Sequence, residues 1–389
     1  MAVGRTHQLF PLIGLLHPAL LSGALAVGLL LWTKGGLRGM RQSLRFRSTK
    51  CVLFLLLWVA LSVPGALWPG GALVLLLDVF LKLVLLYLLV VGAPRGVRDI
   101  ERLAFVYFAG AAVYAAVVLL RFRTGGSADR LGVLYYYDAN DFATLAVSAL
   151  PFGIYFALGR QPWWRRLASL GGLGALVVAF VWAGSRGGFI AILIAGVYIL
   201  FRFTAISAPR RFLGAAALAI VIMGTASDTF WERMRTITSP GKDYNVTGET
   251  GRLQIWKRGM GYMLRHPLLG LGANNFGTAE GTLPPLVDEA SRGHGAKWGV
   301  AHNTIVQIGA ELGVPGLIAF VVMIVSAFAG LRHAAPTALA QALTASLVGC
   351  LAGAMFLSFG YTEMMYVLVA LAVALRRVSP SPTPPPLRA

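Results

Sequence analysis

Long uninterrupted apolar runs constrain this chain more than any other feature. Most extend over about 17 to 24 residues, enough to cross roughly 30 Å of hydrocarbon as helices. Spans are expected near 9–32, 51–68, 72–92, 103–121, 142–158, 169–184, 187–203, 213–227, 314–331, 338–357 and 363–375. The fold class this implies is an all-α polytopic membrane protein with about 11–12 transmembrane helices. Composition agrees, with 57% hydrophobic and 13% charged residues, where a soluble domain is nearer one-quarter charged.

A net charge of +19 suggests nucleic acid until the charges are placed. Lys34, Arg38, Arg41, Arg45, Arg47 and Lys50 fill one connector between spans, and Arg95, Arg98 and Arg102 the next. Arg160, Arg165 and Arg166 follow, then Arg202, Arg210 and Arg211, then Arg332, then Arg376 and Arg377. This is the positive-inside pattern, which puts those connectors in the cytoplasm beside anionic lipid and leaves no nucleic-acid partner. Eleven spans place the N-terminus outside; a twelfth would bring both ends inside. The first run is too long for a cleavable signal and has no small-residue cleavage pattern. Cys51 and Cys350 each stand alone in an apolar span and read as packing residues.

The chain divides into N-terminal transmembrane helices (1–227), a loop domain (228–301), C-terminal transmembrane helices (302–375) and a proline-rich tail (376–389), expected to be disordered and cytoplasmic. The loop has no membrane-length apolar run, carries nine Lys/Arg and seven Asp/Glu, and lies outside by span count. Trp231, Tyr244, Trp256, Tyr262 and Trp298 are too many aromatics for a linker, so a small helical domain over the membrane surface is expected. Within it, 251–272 reads as an amphipathic helix ending before Pro267. Leu253, Trp256 and Met260 recur on one side, and Gln254, Arg258, Gly261 and Arg265 form a basic stripe on another. The stripe suits lipid head groups or capture of a substrate phosphate.

Four places could carry chemistry. Arg186, in Ser185-Arg186-Gly187-Gly188 between two spans, either snorkels to the interface or serves a site. In Asp138-Ala139-Asn140-Asp141, Asn140 or Asp141 is expected to cap the following helix, with Asp138 a candidate for the site. Asp78 and Lys82 share a helical face and are expected to pair for structural reasons. His302-Asn303 stands at the mouth of an apolar segment that should break near Val314-Pro315-Gly316. With His302 beginning the helix, Gly309 falls on its face and leaves room for a bulky chain, while Glu311 falls opposite and anchors the turn before Pro315. A histidine can act as a general base near neutral pH, and nearby arginines would keep it neutral. Arginine forks bind diphosphate oxygens bidentately without a metal. No HExxH, DxD or Cys/His cluster, P-loop or dinucleotide fingerprint appears.

DANDFA, GSRGGF, GRLQIWKRGM…HPLLGLGANNFG and AHNTIVQIGAELGVPGL, in this order from about 135 to 320, resemble the O-antigen ligase and O-antigen polymerase superfamily. The resemblance implies a GT-C-like helical membrane fold and a metal-independent, inverting glycosyltransferase without a cofactor. Its donor would be a glycan on undecaprenyl diphosphate, used at the periplasmic face of the bacterial inner membrane. A ligase would pass the glycan to lipid A–core, a polymerase to another lipid-linked glycan. The family's histidine falls on His302, its membrane arginine on Arg186 and its loop arginine on Arg252, with Arg258 and Arg265 as neighbouring candidates. Asn303, Asp138 and Glu311 would support them. The rival from another class is a transporter or flippase for anionic lipids.

Overall fold

The computed structural model describes residues 23–26, 28, 32, 34–121, 138–159, 161–239, 251–283, 299–334 and 337–379. We number its helices α1 (Lys34–Ser43), α2 (Arg47–Ser62), α3 (Pro69–Gly92, with a π-helical stretch at Leu75–Phe80), α4 (Val97–Arg121), α5 (Ala139–Leu158), α6 (Trp163–Ala183), α7 (Arg186–Arg202), α8 (Ala208–Thr225), α9 (Asp228–Arg235), α10 (Arg252–Arg265), α11 (Phe276–Thr282), α12 (Thr304–His333), α13 (Ala338–Ala354) and α14 (Glu363–Val378). Among the described residues there is no strand.

Six helices, α3 to α6, α8 and α12, are long and apolar enough to cross a membrane. Four more, α2, α7, α13 and α14, are apolar helices of 16 or 17 residues. These ten stand where ten of the eleven spans were expected, and the chain is an all-α polytopic membrane protein. The first expected span, Tyr244, Trp298 and the tail from residue 380 lie outside the described residues, apart from a few positions of the first span.

The core forms around α5 and α14, both buried along most of their length. Small residues let the helices approach closely. On α13, Gly349 sits against Val147 and Gly353 against Thr144, both of α5, while Gly188 at the start of α7 meets Ala143. These contacts gather the N-termini of α5 and α7 and the C-terminus of α13. At the other end Arg377 donates from Nε to the Val91 carbonyl at 3.1 Å, and Arg166 donates from Nε to the Ala157 carbonyl at 3.1 Å. The basic connectors therefore occupy the end opposite that gathering.

Asp78 and Lys82 do pair, at 3.1 Å, but on the outer surface of α3, with side chains 67% and 56% exposed. At mid-height of a membrane helix that surface meets lipid, where a lone charge is far costlier than a pair. Lys82→Met alone should lower the yield and melting temperature of purified protein. The double change Asp78→Leu/Lys82→Leu should restore both, because it removes the ions together.

α12 is two helices joined at a break. Gly313 adopts φ 67° and ψ −169°, a conformation glycine reaches without a Cβ clash. Pro315 also removes the N–H that would bond the Glu311 carbonyl. The carbonyls freed around the break find other donors: Leu271 N–H to Ala310 (2.9 Å), Gly272 N–H to Glu311 (3.1 Å), and the Trp58 indole N–H to Leu312 (3.0 Å). The Val314 N–H turns to the Pro267 carbonyl at 2.8 Å. The expected break is thus present, centred on Gly313, and braced by the loop that follows α10.

Candidate active site

The N-termini of α5, α7 and α10 line one narrow cleft. Asn140 and Thr144 come from α5, Ser185, Gly187 and Gly188 from α7, and Arg252 from α10, with Gly353, Phe356 and Leu357 closing it from the end of α13. Each start has a local cause. Asp138 caps α5 by accepting from the N–H groups of Asn140 (2.6 Å) and Asp141 (2.7 Å), so the cap lies two or three residues before the expected Asn140 or Asp141. Ser185 caps α7 by accepting from Gly188 N–H at 3.1 Å. α10 begins after Gly251, which offers no side chain to cap it.

The start of α12 is tied to the same place. Asn303 is its cap, accepting from the N–H groups of Ile305 (2.9 Å) and Val306 (3.1 Å), while its amide donates to the Met355 carbonyl at 3.1 Å. Thr304 donates to the Leu357 carbonyl at 2.8 Å. Four helices of 14 residues or more thus aim their N-termini at one region, and each brings the positive end of its dipole.

His302 does not begin α12, as the sequence suggested; it precedes the cap. It is half-buried with φ 47°, one of two non-glycine residues with positive φ among those described, the other being Asn274. The helical arithmetic from His302 to Gly309 therefore does not apply, and the space beside Gly309 is filled by Met263 of α10. Gly259 of α10 abuts Val306, and the Trp256 indole donates to the Ala301 carbonyl at 3.1 Å. The glycines serve helix–helix contact, and α10 is clamped directly over the histidine segment.

Burial holds the His302 imidazole below its ordinary pKa of 6.5, and the positive charge of Arg252 pushes it lower, against an opposing pull from Asp138. The neutral, proton-accepting form is favoured by that placement.

The four arginines separate. Arg252 faces the cleft. Arg186 flanks it, and its Nη1 donates to Thr236 Oγ1 at 2.8 Å. Arg258 forms a buried pair with Glu280, Nη2 to Oε2 at 2.6 Å and Nε to Oε1 at 2.9 Å, and Tyr262 donates its hydroxyl to Glu280 Oε1 at 2.9 Å. That pair fastens α11 to α10. Arg265 is exposed at the far end of α10, about 20 Å along the axis from Arg252, so one diphosphate cannot span both. Glu311 does not line the cleft; it accepts from the N–H groups of Asn274 (3.0 Å) and Phe276 (3.1 Å). It ties the loop after α10 to the helix ahead of the break, a wider anchor than the single turn before Pro315.

The segment from Met355 to Gly360, at the end of the expected span 338–357, forms a wall of the site. No spacing signal marks it, because its role lies in main-chain carbonyls and one hydroxyl.

An apolar groove of about 430 Å³ opens beside this region. Thr304 and Ile305 stand at one end of it, and Phe320, Ile324 and Phe328 of α12 and Leu351 of α13 lie along it.

No curated protein matches the chain at a significant level. A family model described as O-Antigen ligase matches residues 171–321, a stretch that runs from α6 to mid-α12 and includes Arg186, Arg252 and His302. That match bears out the resemblance carried by the sequence blocks: over residues 171–321 the chain is similar to the O-antigen ligase family.

Proposed function

We propose that this chain is a glycosyltransferase that moves a glycan from undecaprenyl diphosphate to a sugar hydroxyl of lipid A–core, without a metal and with inversion. The observation that carries the reading is the meeting of His302 and Arg252 where four helix N-termini converge. In the reaction the acceptor oxygen attacks the anomeric carbon and gives its proton to the neutral imidazole of His302. The bond from that carbon to the diphosphate breaks, and its electron pair leaves with the lipid diphosphate. Arg252, the flanking Arg186 and the helix ends stabilise the charge that develops there. The apolar groove below Thr304 and Ile305 suits the lipid chain of such a donor.

In this reading the chain is a multi-pass protein of the bacterial inner membrane. The end holding the cleft faces the periplasm, and 228–301 forms its periplasmic loop domain. Membrane lipids surround it, and nucleic acid has no part.

The test is transfer by purified protein from an undecaprenyl-diphosphate-linked glycan in the presence of EDTA, with lipid A–core offered or withheld. Product only with lipid A–core supports the ligase. Longer lipid-linked chains without it make the protein a polymerase of O-antigen or exopolysaccharide, which uses the same donor and residues. No product from folded protein, with movement of anionic lipid across vesicles, would make it a transporter or flippase.

A further inference from the structure

His302 is held in a left-handed backbone conformation that β-carbon-bearing residues seldom adopt. Such residues persist only where their surroundings over-determine them. Three ties do so. The carbonyl before His302, that of Ala301, accepts from Trp256. The residue after it, Asn303, is fixed through its amide to Met355. The N–H of His302 itself donates to Ser358 Oγ at 3.1 Å. Only the last acts on His302 directly, and it comes from the α13–α14 loop, 56 residues away in sequence.

We infer that Ser358 is a positioning residue, whose hydroxyl holds the His302 backbone in the conformation that sets the place of the imidazole. This rests on the proposed role of His302 as the proton acceptor. The loop does not need this hydroxyl to stay in place. Thr304 donates to Leu357 (2.8 Å) and accepts from Phe359 N–H (2.9 Å), and Gln307 accepts from Gly360 N–H (3.0 Å). Removing Ser358 Oγ leaves those ties intact and frees His302 alone. Its φ can then relax, and the imidazole leaves a half-buried place near Arg252 of α10 and Asp138, the cap of α5, the charged groups that act on it.

The experiment compares Ser358→Ala, Ser358→Thr, His302→Ala and the double change His302→Ala/Ser358→Ala in the transfer assay, with melting temperature measured alongside. Ser358→Ala should lower kcat about tenfold, the scale of one lost hydrogen bond, at unchanged KM. The acid limb of its pH–rate profile should rise as the ring becomes more exposed. Ser358→Thr, which keeps the hydroxyl, should restore both. In the His302→Ala background Ser358→Ala should have no further effect. Wild-type kcat in Ser358→Ala, a loss that Ser358→Thr shares, or an added loss in the double variant each overturns the inference. Full activity in His302→Ala would instead defeat the proposed role of His302, so the two failures are distinct.

Discussion

His302→Ala is expected to insert and fold like the parent protein and to lose between about 10² and 10⁴ in kcat, the usual worth of general-base assistance. Folding should be spared because the contacts made around His302 are main-chain bonds or belong to its neighbours. The His302 N–H bonds Ser358, Asn303 caps α12, and Trp256 bonds the Ala301 carbonyl. An imidazole outside the helix and half in solvent contributes little packing. The check is single-turnover transfer by protein that elutes as one species and melts with the parent. Normal turnover would remove the imidazole from the chemistry.

The second large effect should follow Arg252→Gln, and it has two parts. Loss of a charge facing the leaving group should lower kcat by roughly 10²–10³, as for one oxyanion-stabilising donor. The pH dependence should also move, in a direction fixed by the electrostatics. Activity needs neutral His302, so the rate falls as pH drops through its folded pKa. Burial and Arg252 hold that pKa below 6.5. With the arginine gone the imidazole protonates more readily, and the acid limb moves to higher pH. Asp138 acts in the opposite sense, so Asp138→Asn should move the limb lower. A profile that does not move in either variant would separate these charges from the histidine. Changing Arg265, about 20 Å along α10 from Arg252, should leave the profile where it is.

The fold was legible because membrane-length apolar runs and basic connectors are one-dimensional signals, and ten helices formed where ten runs lay. His302 and Arg186 stood out in the sequence because each breaks a local rule, a histidine at the mouth of an apolar segment and an arginine between two spans, whereas Arg252 was named by the resemblance alone. What failed was the arithmetic of neighbours. Counting seven residues from His302 to Gly309 assumed one unbroken helix, but His302 is itself left-handed and lies ahead of the Asn303 cap. Arg258 and Arg265 looked like companions of Arg252, but helical rise separates them and Glu280 takes the first. Ser358 could not have been found by pattern, since its part depends on a loop folding back across 56 residues.

The break in α12 has a consequence for competition with water. A helix interrupted at membrane depth leaves carbonyls without donors, and water ordinarily fills that role. A thread of water beside an activated sugar would turn transfer into hydrolysis. Here the carbonyls of Ala310, Glu311 and Leu312 are taken by the peptide N–H groups of Leu271 and Gly272 and by the Trp58 indole, so the interruption is sealed with the protein's own donors. Trp58→Phe reopens one of those carbonyls, and the ratio of hydrolysed to transferred glycan should rise in that variant; an unchanged ratio would mean that water is kept from the sugar by other means. In this view the kink beneath the histidine is a dry joint, and dryness is what lets an alcohol outcompete the solvent.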